Sequence, residues 1–236
     1  MLFSAPPRNL RPELLDLDEA PFEEVRKSLK DVRRVNRYLS GYRVLLHYAE
    51  ELFRSHNEKR PLTILDLATG SADQPLALLQ HAKKMKVEVR ITAVDINRKM
   101  LDYAREETGK HKEIDLVQGD ILSLPFADSS FDLVVNSLSL HHFSSEHAVA
   151  ILKSAMRVAR RRVVINDLNR SRIAFGAIWI LTRLLTTNRL TRYDAPVSVM
   201  NAFTPSEMTA LAQDAGYANF KVHRHFPYRI ALVGEK

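Results

Sequence analysis

Carboxylates stand at or near the ends of three short apolar segments of this 236-residue chain. Asp66 lies in LTILDL, Asp95 closes VRITAVD, and Asp120 follows IDLVQ by two residues. Carboxylates in such positions can accept hydrogen bonds from ligands that carry hydroxyl or cationic groups, although Asp95 could equally cap a following helix. The turn DLATGSADQP contains Gly70, which can adopt a positive φ and let the backbone approach a ligand. Taken alone, this turn could also be an ordinary connection from strand to helix.

Two adjacent histidines follow a fourth apolar segment, FDLVVNSL (131–138). Histidine suits proton transfer because its pKa lies near 6.5, so His141 and His142 are candidate bases, while a surface or capping role is the alternative for either. Neighbouring side chains usually point apart, which predicts that only one of them faces the site. Asp167 and Asn169 follow the next segment, and they are candidates to orient the base or to bind substrate at the same rim.

From residue 62 onward, short apolar segments alternate with helical patterns. This alternation predicts βαβ units and a mostly parallel sheet covered on both faces. Two closing strands within 219–236 are expected to be antiparallel at one edge. The predicted fold class is therefore α/β, with a doubly wound, mostly parallel, seven-stranded sheet. The other predicted strands are 62–67, 89–95, 114–118, 131–138 and 161–167, and the predicted helices among them are 73–84, 97–107 and 145–159.

Helical segments precede and interrupt this α/β pattern. Residues 1–20 are typical of an extended arm, and apolar residues at three- and four-residue steps predict helices over 22–56, broken at Ser40-Gly41. Residues 170–203 contain an apolar helix, IAFGAIWILTRLLTT, and then a predicted loop with Asp194-Ala195-Pro196. A capping box in the sequence TPSE begins the helix after this loop.

The amino-acid composition limits the kinds of function that the chain can have. The chain contains no cysteine, which excludes a disulfide framework, a thiolate metal site and a cysteine nucleophile. It carries 35 Lys and Arg against 28 Asp and Glu, a formal charge of +7. This balance is compatible with nucleic acid, an anionic membrane surface, acidic substrates or a merely solvated surface. We expect a cytoplasmic protein, because the sequence shows no transmembrane segment and no apolar signal-peptide core. We also expect a monomer or homodimer.

Four stretches follow one another in order: ILDLATGSAD, AVDIN, GDILSLPFADSSFDLVV and NSLSLHHF. Together they resemble the motifs of class I S-adenosylmethionine-dependent methyltransferases, a resemblance that covers about 62–167. VNRYLSGYRVLLHYAEEL is similar to the N-terminal helix that covers the cofactor in the quinone-type enzymes. The nearest resemblance is to the small-molecule branch that includes the ubiquinone/menaquinone-biosynthesis methyltransferases.

The resemblance implies a Rossmann-like methyltransferase fold and S-adenosyl-L-methionine as the cofactor. The chain departs from the family at Ala68 and Ala72, where glycine is usual. S-adenosylmethionine has no phosphate and therefore tolerates fewer glycines, whereas the missing G-x-G-x-x-G disfavours a nicotinamide cofactor. The residues implied to line the cofactor are Asp66, Ala68, Gly70, Asp95, Ile96, Asp120, Ile121 and Asn136.

The resemblance further implies a domain plan: an N-terminal arm and helical lid (1–60), then a methyltransferase domain (61–236) with a substrate cover at about 170–203. Methyl transfer to a small, apolar, phenolic or quinone-like acceptor is the expected reaction. The expected catalytic residues are His141, His142 and Asp167, and the expected substrate-binding residues are Asn169, Trp179 and Tyr193.

Two other functions remain open from the sequence. A nucleic-acid (RNA) methyltransferase could use a basic face, but NSLS stands where base amino-group methylation uses Asn/Asp-Pro-Pro-aromatic. A cofactor-binding protein without catalysis is the third hypothesis. Peripheral contact with a membrane is compatible with the charge. No metal site is expected, since His223 and His225 share one strand face but lack a third ligand.

Overall fold

The computed structural model describes residues 5–236, so the first four residues of the predicted arm lie outside the described part of the chain. Seven strands form one sheet: β1 (Leu62–Leu67), β2 (Val89–Asp95), β3 (Ile114–Gln118), β4 (Phe131–Ser137), β5 (Ala159–Leu168), β6 (Asn219–His225) and β7 (Arg229–Glu235). Their order is β3-β2-β1-β4-β5-β7-β6. The first five strands pair in parallel, whereas β7 is antiparallel to β5 and β6. The predicted mostly parallel α/β sheet is confirmed.

The strand order reverses between β1 and β4, which creates a switch point of the kind where open α/β sheets bind ligands. The parallel strands β1, β2, β4 and β5 end there at Leu67, Asp95, Ser137 and Leu168. We call this side of the sheet the carboxyl edge. The carboxylates singled out in the sequence lie at or just beyond it.

The helices formed by the described residues are α1 (Phe22–Tyr38), α2 (Gly41–Ser55), α3 (Asp73–Met85), α4 (Arg98–Thr108), α5 (Ser145–Val158), α6 (Arg172–Leu185), α7 (Arg189–Asn201) and α8 (Pro205–Asp214). Helices α2 and α3 pack on one face of the sheet, and α5 and α8 pack on the other. The break at Ser40-Gly41 is confirmed, and a Cβ on Gly41 would lie 2.3 Å from Asn36 Oδ1. None of these helices combines the length and hydropathy needed to cross a bilayer.

Helix α7 corrects the loop predicted around Asp194-Ala195-Pro196. Proline lacks a backbone donor and usually interrupts a helix, yet Pro196 lies inside α7. The side chain of Asn188 caps the start of the helix. The Asp194 carboxylate accepts the backbone N–H groups of Leu14 and Leu15 from the arm. These long-range contacts, which local sequence does not reveal, stabilise the helix. The capping box that begins α8 is confirmed.

Strand β5 begins directly after α5, without the Pro-Gly turn common in the methyltransferases that the sequence resembles. Arg160 Nη1 instead donates a 2.8 Å hydrogen bond to Asp132 Oδ1, and the Arg60 guanidinium donates to both Asp132 oxygens at 2.8 and 2.6 Å. Burial alone would raise the pKa of Asp132, but the two arginines hold it well below its usual range. This ion cluster lies at the start of β4, away from the carboxyl edge.

Candidate active site

The turn after β1 has a glycine-type backbone at three positions. Ala68, Gly70 and Ala72 each have a φ of +54°, a region that costs an L-residue roughly 1–2 kcal/mol. The Ala68 side chain packs against the apolar core. A Cβ on Gly70 would meet no heavy atom of the described chain within 4 Å. The two alanines therefore adopt the left-handed backbone that favours glycine, and the turn has open space beside Gly70.

Asp95 joins the end of β2 to this turn. Its Oδ2 accepts a 2.7 Å hydrogen bond from the Gly70 backbone N–H, and its Oδ1 accepts one of 2.9 Å from the Asn97 N–H. Burial raises the pKa of the Asp95 carboxyl. The cap of α4 is the Asn97 side chain, which accepts the N–H groups of Lys99 and Met100. Asp95 is therefore fixed at the carboxyl edge by the backbone, and its remaining lone pairs can accept ligand hydroxyl groups.

The Asp66 side chain is buried beneath the same turn. Its Oδ2 has no hydrogen-bond partner within the described chain. Burial raises the pKa of Asp66 to about 8, and the nearby Asp73 and Asp95 add to the shift. A buried carboxyl group without a partner is unfavourable. A cationic ligand group bound at this oxygen would satisfy it.

The other four residues implied to line the cofactor differ in burial. Asp120 is exposed beyond β3, and Ile96 is 65% exposed beyond β2. Ile121 is buried. Asn136 is fully buried at the end of β4, where its Nδ2 donates a 2.8 Å hydrogen bond to Leu67 O. Asn136 Oδ1 has no partner among the described residues, so Asn136 joins two strands and keeps a free acceptor.

Helices α1 and α2 reach the turn through Asp73. Asp73 Oδ2 accepts hydrogen bonds from Asn36 Nδ2 at 2.9 Å and from the Tyr42 hydroxyl at 2.8 Å. Asp73 Oδ1 accepts a third bond from the Ser71 hydroxyl at 2.9 Å. The two N-terminal helices are thereby connected by charge-assisted hydrogen bonds to the turn that follows β1.

Arg229, the first residue of β7, extends this polar network. It is 1% exposed, and it donates hydrogen bonds to Leu39 O at 2.8 Å and Asn36 Oδ1 at 3.1 Å. Its Nη1 has no partner within the described chain, as is also true of the buried acceptors Gln74 Oε1 and Asn166 Oδ1. Burial lowers the pKa of Arg229 to about 10, so it remains cationic at neutral pH. Sequence reasoning missed Arg229, because nothing in the pattern of the closing strand signals a buried arginine.

His141 and Asp167 form a buried pair between the ends of β4 and β5. His141 Nδ1 lies 2.6 Å from Asp167 Oδ1, and the His141 backbone N–H donates to Asp167 Oδ2 at 3.0 Å. On the other side of the ring, Nε2 lies 3.4 Å from Glu13 Oε1. Burial alone would lower the pKa of His141, but Asp167 and Glu13 outweigh it and raise the pKa to about 10. The two carboxylates therefore favour the protonated, imidazolium form of His141.

The expectation that only one of the two histidines would face the site is wrong. The His141 and His142 rings stack, with centroids 4.4 Å apart and planes inclined by 27°. A short 3-10 turn, Leu140–His142, turns both side chains to the same side. His142 Nδ1 lies 2.7 Å from Asp16 Oδ2, and its Nε2 lies 4.0 Å from Glu13 Oε1.

The arm crosses the carboxyl edge and supplies residues that sequence analysis did not assign to the site. Arg8 Nη2 donates hydrogen bonds to the carbonyls of His141 and Phe143 at 2.9 and 2.8 Å. Two of the three carboxylates that contact the stacked histidines, Glu13 and Asp16, also come from the arm. The acidic stretch PELLDLDE was the one available signal, but its partners lie more than a hundred residues away in the chain. Local patterns do not predict such contacts.

Two of the three predicted substrate-binding residues lie on exposed helix surfaces. Trp179 is 44% exposed on α6, and the Arg183 guanidinium lies 3.7 Å above its ring. Tyr193 is exposed on α7. Helix α6 buries only two of its residues, so its apolar side chains face outward, which corrects the expectation that Trp179 lines a pocket. Asn169 is half-buried just beyond β5.

Comparisons with known proteins agree with this geometry. A family model described as a methyltransferase domain matches residues 64–162. The demethylmenaquinone methyltransferase of Thermotoga maritima is 29% identical over 173 residues, which cover 68% of this chain and 72% of the relative. A SAM-dependent methyltransferase from Aquifex aeolicus aligns with a TM-score of 0.62 at 18% identity, covering 92% of this chain and 99% of that one. Magnesium protoporphyrin IX methyltransferase from Synechocystis, with SAH bound, aligns with a TM-score of 0.56 at 15% identity, covering 91% and 86%.

Proposed function

We propose that this chain is a class I S-adenosylmethionine-dependent methyltransferase that methylates a small, apolar acceptor of phenolic or quinone-like type. The observation that carries the proposal is the enclosure of the carboxyl edge. The arm lies over His141 and is joined to α7, where Arg8 Nε donates a 2.6 Å hydrogen bond to Asn201 O. An edge covered in this way favours a compact apolar acceptor over a large polymer, in keeping with the similarity to a demethylmenaquinone methyltransferase.

The alternative acceptor is RNA, and one groove with basic side chains is the observation in its favour. A groove of about 840 Å³ runs between α1 and residues 183–192. Its basic lining residues are Lys27, Lys30, Arg34, Arg183, Arg189 and Arg192. Its described lining contains none of the carboxylates of the carboxyl edge, so RNA in this groove would not by itself approach the methyl group. RNA affinity that falls steeply with salt would support the alternative.

We propose that the cofactor lies along the carboxyl edge. When bound, S-adenosylmethionine supplies an electrophilic methyl group. We propose that Asp66 accepts hydrogen bonds from its ammonium group, Asp95 from its ribose hydroxyls and Asp120 from its adenine amino group, and that Arg229 Nη1 donates to its carboxylate. The remaining proposed contacts are Ala68, Gly70, Ile96, Ile121 and Asn136. The unpartnered buried atoms of Asp66, Asn136 and Arg229 support this assignment.

The proposed domain plan makes α1 and α2 a lid and residues 61–236 the methyltransferase domain. The hydrogen bonds from Asn36 and Tyr42 to Asp73 support the lid, since they hold both helices against the turn proposed to bind the cofactor. Within the proposed cover at about 170–203, we assign the covering role to α7, because α7 contacts the arm. Helix α6 is largely exposed.

In the proposed mechanism, the protein contributes mainly by placement of the two reactants. Asp167 orients His141, and the two histidines are proposed to face the acceptor after the arm has moved aside. Removal of Glu13 from Nε2 takes away one of the two carboxylates that raise the pKa of His141. His141 could then exchange a proton with an acceptor hydroxyl group. Asn169 and Tyr193 remain proposed acceptor contacts at the rim.

Peripheral membrane contact is proposed for α6. Its exposed apolar side chains include Ile173, Ile180, Leu184 and Leu185. Arginines at both ends and the net charge of +7 complement an anionic lipid surface. An apolar acceptor dissolved in a membrane would be accessible to an enzyme held at that surface.

Calorimetry with S-adenosylhomocysteine, followed by methyl-acceptance assays on a panel of phenols and quinols, tests the proposed function. The proposal requires binding of about one cofactor product per chain and methylation of at least one apolar phenol or quinol. Binding without acceptance by any member of the panel would leave the cofactor assignment intact and contradict the acceptor class.

A further inference from the structure

The side chains of His141, His142 and Glu13 converge on one point above the carboxyl edge. One ligand-type atom from each lies within 4.8 Å of the other two. We propose that these three residues bind one divalent transition-metal ion of the zinc type. This inference goes beyond methyl transfer, does not depend on the acceptor, and revises the expectation that the chain has no metal site.

The orientation of both histidines favours a metal ion. His141 Nδ1 is engaged by Asp167 at 2.6 Å, and His142 Nδ1 is engaged by Asp16 at 2.7 Å. Each ring therefore directs Nε2 towards Glu13. Histidines that bind metals characteristically donate the other ring N–H to a carboxylate, which fixes the tautomer and orients the ligand nitrogen. Two histidines with this arrangement side by side are more specific than a histidine pair alone.

The distances also suit a metal ion. Glu13 Oε1 lies 3.4 Å from His141 Nε2 and 4.0 Å from His142 Nε2. Tetrahedral zinc with bonds of about 2.0–2.1 Å places its ligand atoms about 3.3 Å apart. Both distances from Glu13 are within an ångström of that value. Glu13 is itself oriented by a hydrogen bond from the Ser198 hydroxyl, as ligating carboxylates usually are.

An unsatisfied buried atom points to the same place. His141 is 2% exposed, and its Nε2 has no hydrogen-bond partner of acceptable geometry within the described chain. Two histidines and one carboxylate leave at least one coordination position open in a tetrahedral ion, as in catalytic zinc sites. Because Glu13 belongs to the arm and the histidines follow β4, the ion would also fasten the arm to the carboxyl edge.

The test uses untagged, full-length protein, first treated with chelator and then titrated with Zn²⁺, and in parallel with Co²⁺. We expect one ion per chain that survives gel filtration in metal-free buffer, and a Co²⁺ absorption band typical of nitrogen and oxygen ligands. The variants Glu13→Gln and His142→Gln should each weaken binding at least about tenfold, because the loss of even a residue that orients a ligand usually costs about 10–100-fold in metal affinity. His223→Gln is the matched control, because His223 faces His225 and Tyr48 on another surface.

Circular dichroism on the same samples separates lost ligands from lost folding, and a variant that unfolds is replaced by Glu13→Asp, which should retain weakened binding. The absence of Zn²⁺ and Co²⁺ uptake by the folded wild-type protein would overturn the proposal. Uptake that is unchanged in both folded variants, or that falls equally in His223→Gln, would overturn it as well.

Discussion

The Gly70 backbone N–H donates a 2.7 Å hydrogen bond to Asp95 Oδ2, which fastens the turn after β1 to the end of β2. The two motifs that the sequence suggested separately are therefore one structural unit. The same unit extends through Asp73 to Asn36 and Tyr42 of the N-terminal helices. A ligand that binds at the turn should consequently also affect Asp95 and the two N-terminal helices.

Asp66 should make cofactor affinity depend on pH. Its pKa of about 8 in the free protein means that it is protonated below that pH, and a bound ammonium group requires the ionised form. The Kd for S-adenosylhomocysteine should therefore rise from pH 8 to pH 6, by up to about tenfold per pH unit. Asp66→Asn should bind weakly with a flat profile in calorimetry, whereas Asp120→Asn should keep the slope. A flat wild-type profile would contradict the assignment.

Tyr42→Phe should loosen the proposed lid. The change removes a 2.8 Å hydrogen bond to the Asp73 carboxylate, and bonds to charged groups contribute about 1.5–3 kcal/mol. We expect the Kd for S-adenosylhomocysteine to rise about tenfold. The matched control is Tyr38→Phe, since Tyr38 is 74% exposed. Equal affinities for the two variants would show that the contact does not support cofactor binding.

Ala68→Gly should increase stability. Holding an alanine at a φ of +54° costs roughly 1–2 kcal/mol, and the change removes that cost. Glycine loses more backbone freedom on folding, which costs about 0.5–1 kcal/mol. The expected net gain is about 0.5–1 kcal/mol in urea unfolding. Ala93→Gly, at a buried position in β2, should be destabilising. A loss of stability in Ala68→Gly would mean that the packing of the alanine methyl group stabilises the protein by more than the positive φ destabilises it.

Asp132→Asn should destabilise the fold without affecting the cofactor site. Removal of the buried charge takes a carboxylate partner from Arg160 and from Arg60, which keeps its ion pair with Glu58. The expected cost is about 3 kcal/mol, the low end for broken buried pairs, because both arginines are partly exposed. The lowered pKa of Asp132 stabilises the native state above pH 4. The deficit of the variant should thus shrink as pH falls below about 4. A deficit independent of pH in denaturant titrations would contradict the charge-based account.

Leu184→Glu and Leu185→Glu should weaken membrane association. Both side chains are exposed near the end of α6, and each change removes apolar surface while adding repulsion from anionic lipid. We expect wild-type protein to sediment with anionic vesicles, less so at high salt, and the double variant to remain in the supernatant. Tyr38→Glu controls for charge alone. Sedimentation of all three proteins to the same extent would exclude α6 as the contact.

Sequence patterns predicted the features that depend on local periodicity and on motif order. These include the alternating strands and helices, the break at Ser40-Gly41 and the carboxylates Asp66 and Asp95 at one edge. Patterns failed where long-range contacts decide. Asp194 is held in a helix by backbone groups of the arm, and Glu13 reaches His141 across 128 positions of sequence. The exposed face of α6 was misjudged because apolar composition does not reveal which surface a helix presents.

Transfer of a radiolabelled methyl group from S-adenosylmethionine tests the central claim most directly. Purified protein would be offered chemically reduced demethylmenaquinone and total RNA in separate reactions, with Asp66→Asn as the inactive control. We predict label in the apolar extract of the quinol reaction, strongly reduced in the variant, and none above background in RNA. Label in RNA, with none in the quinol extract, would contradict the proposed function.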